Sequence, residues 1–208
     1  MGEDKLLVDV AGRPLIAHTL SAAAASGAFV RVVIAAPPER HALLRELAAG
    51  AGFEDVVLTA GGERRQDSVR NALGGVGESD IVAVHDAARP LCAPGLFVDC
   101  VDAARRHGAA TAAIPLVDSI KRGAGGVIVE SLDRAELYAI QTPQAFTREL
   151  LVEGHRQGAV NGLLVDDDAA LVEALGVAVH IVHGSPDNFK VTHPRDLVLL
   201  RALVADRS

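Results

Sequence analysis

Chemistry in this chain concentrates in a few polar residues set among small apolar ones. In Val84–Pro90 (VHDAARP), Asp86 and Arg89 follow an apolar run that reads as a strand. A carboxylate at the carboxyl edge of an α/β sheet can hold Mg2+ beside a phosphate, and an arginine three residues on adds charge to the same crevice. The same two residues would equally serve as a turn cap and a solvent-facing cation. In Ala60–Val69 (AGGERRQDSV), Gly61 and Gly62 form a turn that runs into the polar first turn of a helix. Exposed N–H groups there, with Arg64, Arg65 and Ser68 alongside, suit a base, a ribose or a phosphate, although the GxxxxGK[ST] phosphate loop is absent. Lys5 lies ahead of the Gly12-Arg13-Pro14 turn and Lys190 just before the final helix. Each is either a point charge for a phosphate or a solubilising lysine. Asp166, Asp167 and Asp168 stand where a helix begins, a place that stabilises carboxylates, so capping accounts for at least one of them. The histidines are scattered; they suggest neither a structural zinc site nor a Ser–His–Asp order, and no GxSxG elbow occurs.

These side chains need elements to position them. Val30–Ala36, Asp80–Val84, Ala109–Ile114 and Val177–His183 read as strands. Between them lie helical patterns at Pro14–Ser26, Pro38–Ala49, Gln66–Leu73, Pro94–His107, Arg148–Gln157, Ala169–Leu175 and Pro194–Ala205. Several open on proline, whose missing N–H costs nothing in the first turn, and several stop at glycine. The alternation predicts one α/β domain over residues 1–208, a mostly parallel sheet with helices on both faces. Residues 117–140 break the rhythm. Lys121–Gly126 reads as a turn, and Val127–Val129 and Leu137–Ile140 as short strands, which together predict a projecting β-arm that packs against something else.

Composition narrows the function. Half of the 208 residues are hydrophobic but only 3% are aromatic, so the core must come from Val, Leu, Ile and Ala. The chain has no apolar run of the roughly 18 residues that cross a bilayer and no signal-peptide pattern. Cys92 and Cys100 make no disulfide framework, which points to the cytoplasm. A net charge of −7 disfavours broad nucleic-acid binding, yet leaves room for a small phosphorylated ligand held by a few converging cations.

The landmarks also run in a particular order. Lys5-Leu6-Leu7 precedes Ala11-Gly12-Arg13-Pro14-Leu15, followed by Gly61-Gly62 with Arg65-Gln66-Asp67-Ser68-Val69 and by His85-Asp86-Ala87-Ala88-Arg89-Pro90. Asp118-Ser119-Ile120-Lys121, Asp133-Arg134, Gln141-Thr142-Pro143-Gln144 and Asn188-Phe189-Lys190-Val191-Thr192 complete the series. Over nearly the whole chain this resembles the 2-C-methyl-D-erythritol 4-phosphate cytidylyltransferase family. The resemblance implies a Rossmann-like nucleotidyltransferase fold that transfers CMP from CTP to 2-C-methyl-D-erythritol 4-phosphate. The products would be 4-diphosphocytidyl-2-C-methyl-D-erythritol and pyrophosphate, in non-mevalonate isoprenoid synthesis. It implies that Lys5 contacts the CTP phosphates, that Gly61, Gly62 and Ser68 belong to the cytidine pocket, and that Asp86 holds Mg2+ with Arg89 supporting its loop. Arg134 and Lys190 would grip the methylerythritol phosphate and Thr142 would help place it, with Lys5, Asp86 and Lys190 as the catalytic group. A homodimer with exchanged arms is also implied.

Two features depart from the family pattern. Met1-Gly2 matches the end of a Gly-rich nucleotide loop, so the expectation is that the chain is N-terminally truncated and that an upstream segment supplies a strand and the rest of that loop. Asp166, among the substrate-binding positions, stands where the family has threonine and is expected to point away from the phosphate. Two other functions compete: cytidylyl transfer to ribitol 5-phosphate or another polyol phosphate, and a non-catalytic binding role for a degenerate homologue.

Overall fold

Short strands alternate with helices along residues 3–206, the span that the computed structural model describes. A 3-10 turn at Glu3–Leu7 leads into two-residue strands, β1 (Asp9–Val10) and β2 (Arg13–Pro14), which pair antiparallel. Then follow α1 (Leu15–Ala25), β3 (Arg31–Ala36), α2 (His41–Gly50), β4 (Asp55–Ala60) and α3 (Arg65–Leu73). β5 (Ile81–Val84), α4 (Pro94–His107) and β6 (Ala109–Pro115) lead to the arm, β7 (Ile120–Ala124) and β8 (Val127–Leu132). The chain returns along β9 (Tyr138–Thr147) and ends with α5 (Arg148–Val160), α6 (Ala169–Glu173), β10 (His180–His183) and α7 (Pro194–Asp206). All seven helical patterns form helices. The Met1-Gly2 pair, on which the expectation of an upstream loop rests, lies outside the described residues.

The sheet corrects the sequence reading. β3 and β4 pair parallel, and β10 is parallel to β6, but β9 lies between β6 and β5 and is antiparallel to both. The sheets are mixed, not mostly parallel. The reason is the connection: between β6 and β9 the chain runs out along the β7–β8 hairpin and comes back without a crossover helix, and a direct return is antiparallel. Gly125 and Gly126 turn the hairpin with φ of 58° and 81°, the left-handed pair that a tight two-residue turn needs. Pro143 obscured β9 in the sequence, because proline is rare inside a central strand. The β6–β9 register shifts between Thr111 and Ala113, opposite Gln141–Pro143, and the resulting bulge accommodates the proline.

Alanine lets the layers approach closely. Phe97, Cys100, Ala103 and Ala104 of α4 pack on Ala110, Ala112 and Ala145 of the four-stranded sheet. A different arrangement lies between β3 and β5. Among the described residues each has a strand partner on one side only, and the two face an apolar cavity of about 390 Å3 lined by Val32, Ile34, Val82, Val84 and Phe97. They run the same way. Arg31 at the start of β3 donates to Gly75 O, shortly before β5, while Ala36 and Ala87 at the far ends share one apolar cluster.

Candidate active site at the carboxyl ends of the strands

Asp86 sits just beyond β5 with its side chain 11% exposed, and three cations converge on it. Arg65 Nε lies 2.9 Å from Oδ1, Lys190 Nζ 3.1 Å from Oδ2 and Arg89 Nε 3.4 Å from Oδ2. Burial alone would raise the Asp86 pKa, but the Arg65 and Lys190 charges outweigh it and hold the group at about 2, so it is ionised. Arg65, the first residue of α3, also reaches Asp168 at 2.7 Å, and the other Asp168 oxygen takes a hydrogen bond from His155 Nε2 at 2.9 Å. Arg89 Nη1 donates to Asn188 O at 2.7 Å, which ties the Asp86 loop to the loop that carries Lys190. Asp168, at 1% exposed, is the buried member of the set, and removing its partner Arg65 would leave an uncompensated buried charge.

The backbone of Asp86 is held as firmly as its carboxylate. Its N–H donates to Thr142 Oγ1 at 3.0 Å, and that hydroxyl lies 3.0 Å from His85 Nδ1. Burial against Phe97 lowers the His85 pKa to about 4, so the ring is neutral and Nδ1 accepts the hydroxyl proton while Nε2 donates to Arg89 O. The bulge in β9 aims its polar residues at the same place. Gln141 donates to Ser185 O at 2.8 Å, and Asn188 donates to Gln141 Oε1 and Thr142 O at 3.1 and 2.9 Å. Gln144 is fully buried. It donates to Thr111 Oγ1, and its oxygen accepts from the N–H groups of Asp168 and Ala169, which places the Asp168 carboxylate.

The remaining expected residues are distributed around this cluster. Gly62 N–H donates to Ser68 Oγ at 2.9 Å and Gly61 N–H to Ala36 O, folding the glycine turn over the start of α3. A Cβ at Gly62 would fall 2.8 Å from the Asp67 carbonyl carbon, so only glycine fits. Ser68 and Arg65 line the cavity between β3 and β5 together with Asp86. Lys5 lies in the first 3-10 turn, whose Leu6 packs near Ala36 and Ala87, and no described contact joins its ammonium to Asp86. Arg134 stands apart on the arm, at a second cavity of about 370 Å3 with Leu116, His183 and Pro186. That cavity borders the loop that carries Asn188 and Lys190. Of the three consecutive aspartates, Asp166 is exposed, Asp167 accepts from Ala170 N–H, and Asp168 is buried in the cluster.

Sequence reasoning singled out Asp86, Arg89 and Lys190, which the fold brings together, but did not anticipate the Arg65–Asp168–His155 chain. Arg65 and Asp168 are separated by 103 positions, and neither segment marks the other as its partner. The one available signal was the run of polar residues in Gln141–Gln144, too many to be left unpaired in a central strand.

The cluster does not form a divalent-cation site by itself. No group of three His, Cys, Asp or Glu able to hold a metal occurs among the described residues. Asp86 offers a single carboxylate with both oxygens already facing cations, whereas Mg2+ needs several oxygens in near-octahedral array. Convergent cations around a shielded carboxylate, at the edge where open α/β sheets take ligands, suit a polyanion.

Comparison with known proteins agrees with this chemistry. Residues 1–206 match the family model for 2-C-methyl-D-erythritol 4-phosphate cytidylyltransferase. The enzyme of that name from Bacillus mycoides (strain KBAB4) is 40% identical over 204 residues, 98% of this chain and 90% of that protein. The one from Synechococcus sp. (strain WH7803) is 42% identical over 211 residues, covering 100% of this chain and 94% of that protein. Among solved structures, the 2-C-methyl-D-erythritol 4-phosphate cytidylyltransferase of Thermus thermophilus superposes with a TM-score of 0.82 at 35% identity, over 98% of this chain and 95% of that one.

Proposed function

The chain belongs to the 2-C-methyl-D-erythritol 4-phosphate cytidylyltransferase family, and from that premise we propose how its site moves a cytidylyl group from CTP to 2-C-methyl-D-erythritol 4-phosphate, a step of non-mevalonate isoprenoid synthesis. The observation that carries the reading is the convergence of Arg65, Arg89 and Lys190 on Asp86. Three cations against the carboxylates of Asp86 and Asp168 leave excess positive charge at one place in a protein whose net charge is −7. Such a local field draws a polyphosphate. Gly61, Gly62 and Ser68 would meet the cytidine, Lys5 and Lys190 the CTP phosphates, with Arg89 supporting the loop. Arg134 and Lys190 would hold the acceptor phosphate, Asp166 would stand at the rim, and Thr142 would act from beneath through Asp86 and His85.

In the reaction, a phosphate oxygen of the acceptor attacks the α-phosphorus of CTP in line. The bond from that phosphorus to the oxygen bridging to the β-phosphorus breaks, and pyrophosphate leaves with the electron pair. The attacking phosphate is already anionic near neutral pH, so no side chain has to take a proton. The protein's part is alignment and charge neutralisation. Family membership implies Mg2+-dependent chemistry, the ion supplying further charge neutralisation on the polyphosphate.

Val127, Ile128 and Val129 of the arm are 65%, 70% and 55% exposed, an apolar strip suited to a second copy of the chain. In a homodimer of this kind the exchanged arm would bring Arg134 to the partner's acceptor site. No helix among the described residues is long and apolar enough to cross a membrane, and the cytoplasm, where CTP is available, is the proposed location.

The test is pyrophosphate release from CTP with Mg2+ and either 2-C-methyl-D-erythritol 4-phosphate or ribitol 5-phosphate. Turnover with the first, and much less with the second, is expected. Asp86→Asn should lower it roughly 10²-fold or more, the scale seen when a positioned electrostatic group is lost. Absence of release with both acceptors, from folded protein, would overturn the reading.

A further inference from the structure

Arg65 takes less of Asp86 than an arginine can. Beside a carboxylate, a guanidinium favours a forked contact in which two N–H groups meet both oxygens. Here Nε alone bonds Asp86, at Oδ1 and 2.9 Å, while Nη2 is buried with no hydrogen-bond partner among the described residues. The other carboxylate oxygen, Oδ2, faces Lys190 Nζ at 3.1 Å and Arg89 Nε at 3.4 Å. The remaining prong of Arg65 points elsewhere: Nη1 donates to Asp168 Oδ2 at 2.7 Å, the shorter of its two carboxylate bonds. Asp168 is fixed in its turn. It is 1% exposed, its second oxygen accepts from His155 Nε2 of α5, and its backbone N–H donates to Gln144 Oε1 of β9.

We infer that Asp168 is a positioning residue for Lys190: by tethering one prong of Arg65 it stops the guanidinium from closing its fork on Asp86, and so reserves Oδ2 of that carboxylate for the Lys190 ammonium. No described contact joins Asp168 to Lys190, so the effect passes through Arg65 and Asp86. Lys190 depends on it. Its side chain is 40% exposed, and an ammonium on a flexible stem has no preferred geometry of its own, so Oδ2 decides where the charge stands. Without the tether, the unpaired Nη2 would satisfy itself on Oδ2, and the two cations would repel until Lys190 swung into solvent. An arriving phosphate would then meet a mobile charge in place of a placed one. That last step rests on the reading that the site takes CTP and a polyol phosphate; the tether itself does not.

Acetylation by acetic anhydride, followed at each lysine by mass spectrometry, tests the tether with no ligand present. The chain has three lysines, and Lys121, on the arm and bonded to Ser131, serves as internal reference. Asp168→Ala should make Lys190 react about threefold faster relative to Lys121, the scale of an ion pair partly open to solvent. Asp168→Asn keeps an acceptor for Arg65 without the charge. It should shift the ratio the same way by less, and it replaces Asp168→Ala should that variant not fold. Removing the fork as well, in Arg65→Met/Asp168→Ala, should return the ratio to the wild-type value or below it. An unchanged ratio in the folded Asp168 variants, or a gain that persists in the double variant, would overturn the tether. A separate arm follows turnover. Asp168→Ala and Lys190→Met should each raise the KM for 2-C-methyl-D-erythritol 4-phosphate about tenfold, the loss of one charge-assisted contact, and together do little more than either. Effects that multiply would break the coupling. Wild-type protein without turnover would count against the CTP reading, while the acetylation ratios still decide the tether.

Discussion

Two parts of this molecule are built from the same small apolar residues and pack very differently. On β6 and β9 of the four-stranded sheet, packed against α4 on one side and α5 and α6 on the other, Ala110, Ala112, Ala113, Ala145 and Phe146 are all 0% exposed. Around the cavity between β3 and β5, Val32, Val33, Ile34 and Ile81–Val84 are only partly buried. Hydrophobicity does not separate them. Among the described residues, β6 and β9 each have strand partners on both sides, whereas β3 and β5 each have one. Burial of an apolar strand is thus set by how many of its edges and faces are filled, and an unfilled edge leaves backbone groups without partners.

The largest effect that tests this contrast is a deletion on each side. Phe146→Ala empties a filled core position and should cost about 3–5 kcal/mol. Ile34→Ala removes atoms that already border a cavity, and its cost should be about 1–2 kcal/mol. Urea unfolding of both variants measures the difference, and equal losses would break the comparison.

The seam between the two regions carries the next effect. His85 lines the cavity and bonds to Thr142 of β9. Its folded pKa of about 4 lies below the ordinary value of 6.5, so between these values the unfolded chain binds a proton that the native protein does not. Stability should therefore fall as the pH drops from about 6.5 to about 4, by roughly 2–3 kcal/mol after allowing for the ring's partial exposure. Asp86, with its pKa held at about 2, contributes stability above about pH 4 that is lost only below that, as pH falls toward 2. Thermal melts at pH 7 and pH 4.5 should show the first loss, and His85→Gln should flatten it. An unchanged slope in that variant would remove His85 from the account.

A third effect compares one substitution at two places. Ala112→Val forces extra atoms into the filled sheet and should cost about 1–3 kcal/mol. Ala35→Val lines the cavity on β3, where space is available and a β-branched residue suits the strand, so it should be neutral or stabilise by about 0.5 kcal/mol. Matching signs in thermal melts would mean that the cavity is not soft.

How much of this was legible in the sequence follows from the same contrast. The helices announced themselves through proline starts and glycine stops, as at Pro94 and Gly108 around α4. β4 was overlooked although Val56, Val57 and Leu58 are apolar, because the run is short and opens directly after an acidic turn. β9 was read as four residues near Leu137–Ile140, since polar Gln141 and Gln144 and the proline between them disguise a central strand whose side chains pair with loops. The antiparallel direction of β9 followed from the arm's path, which local pattern does not encode. In the site, Asp86 was visible from its place after a strand. Thr142 came from the resemblance as a substrate contact; in the fold the residue is buried and its hydroxyl bonds Asp86 N–H and His85, a pairing that local sequence does not announce. Arg65 and Asp168 found each other only through the tertiary fold.

The smallest expected effect addresses the unfilled edges directly. β3 and β5 run the same way and border one apolar cavity, so a parallel strand of small and β-branched residues laid between them could bond to both. Each new backbone hydrogen bond contributes about 0.5–1.5 kcal/mol net. Fixing the added residues costs about 1–2 kcal/mol each in backbone entropy, which nearly offsets the bonds and leaves apolar burial to decide the sign. Fusing a Val- and Ala-rich hexapeptide with a short glycine linker ahead of Glu3 should therefore stabilise the protein by about 1 kcal/mol, a rise of roughly 2–4 °C in Tm. Amide exchange should slow at β3 and β5 but not at β6 or β9, whose edges are already paired. The same fusion with serine and glycine in place of valine and alanine should do neither. Stabilisation by both fusions alike, or slowed exchange spread evenly over all strands, would show that the unfilled edges are not what distinguishes the two regions.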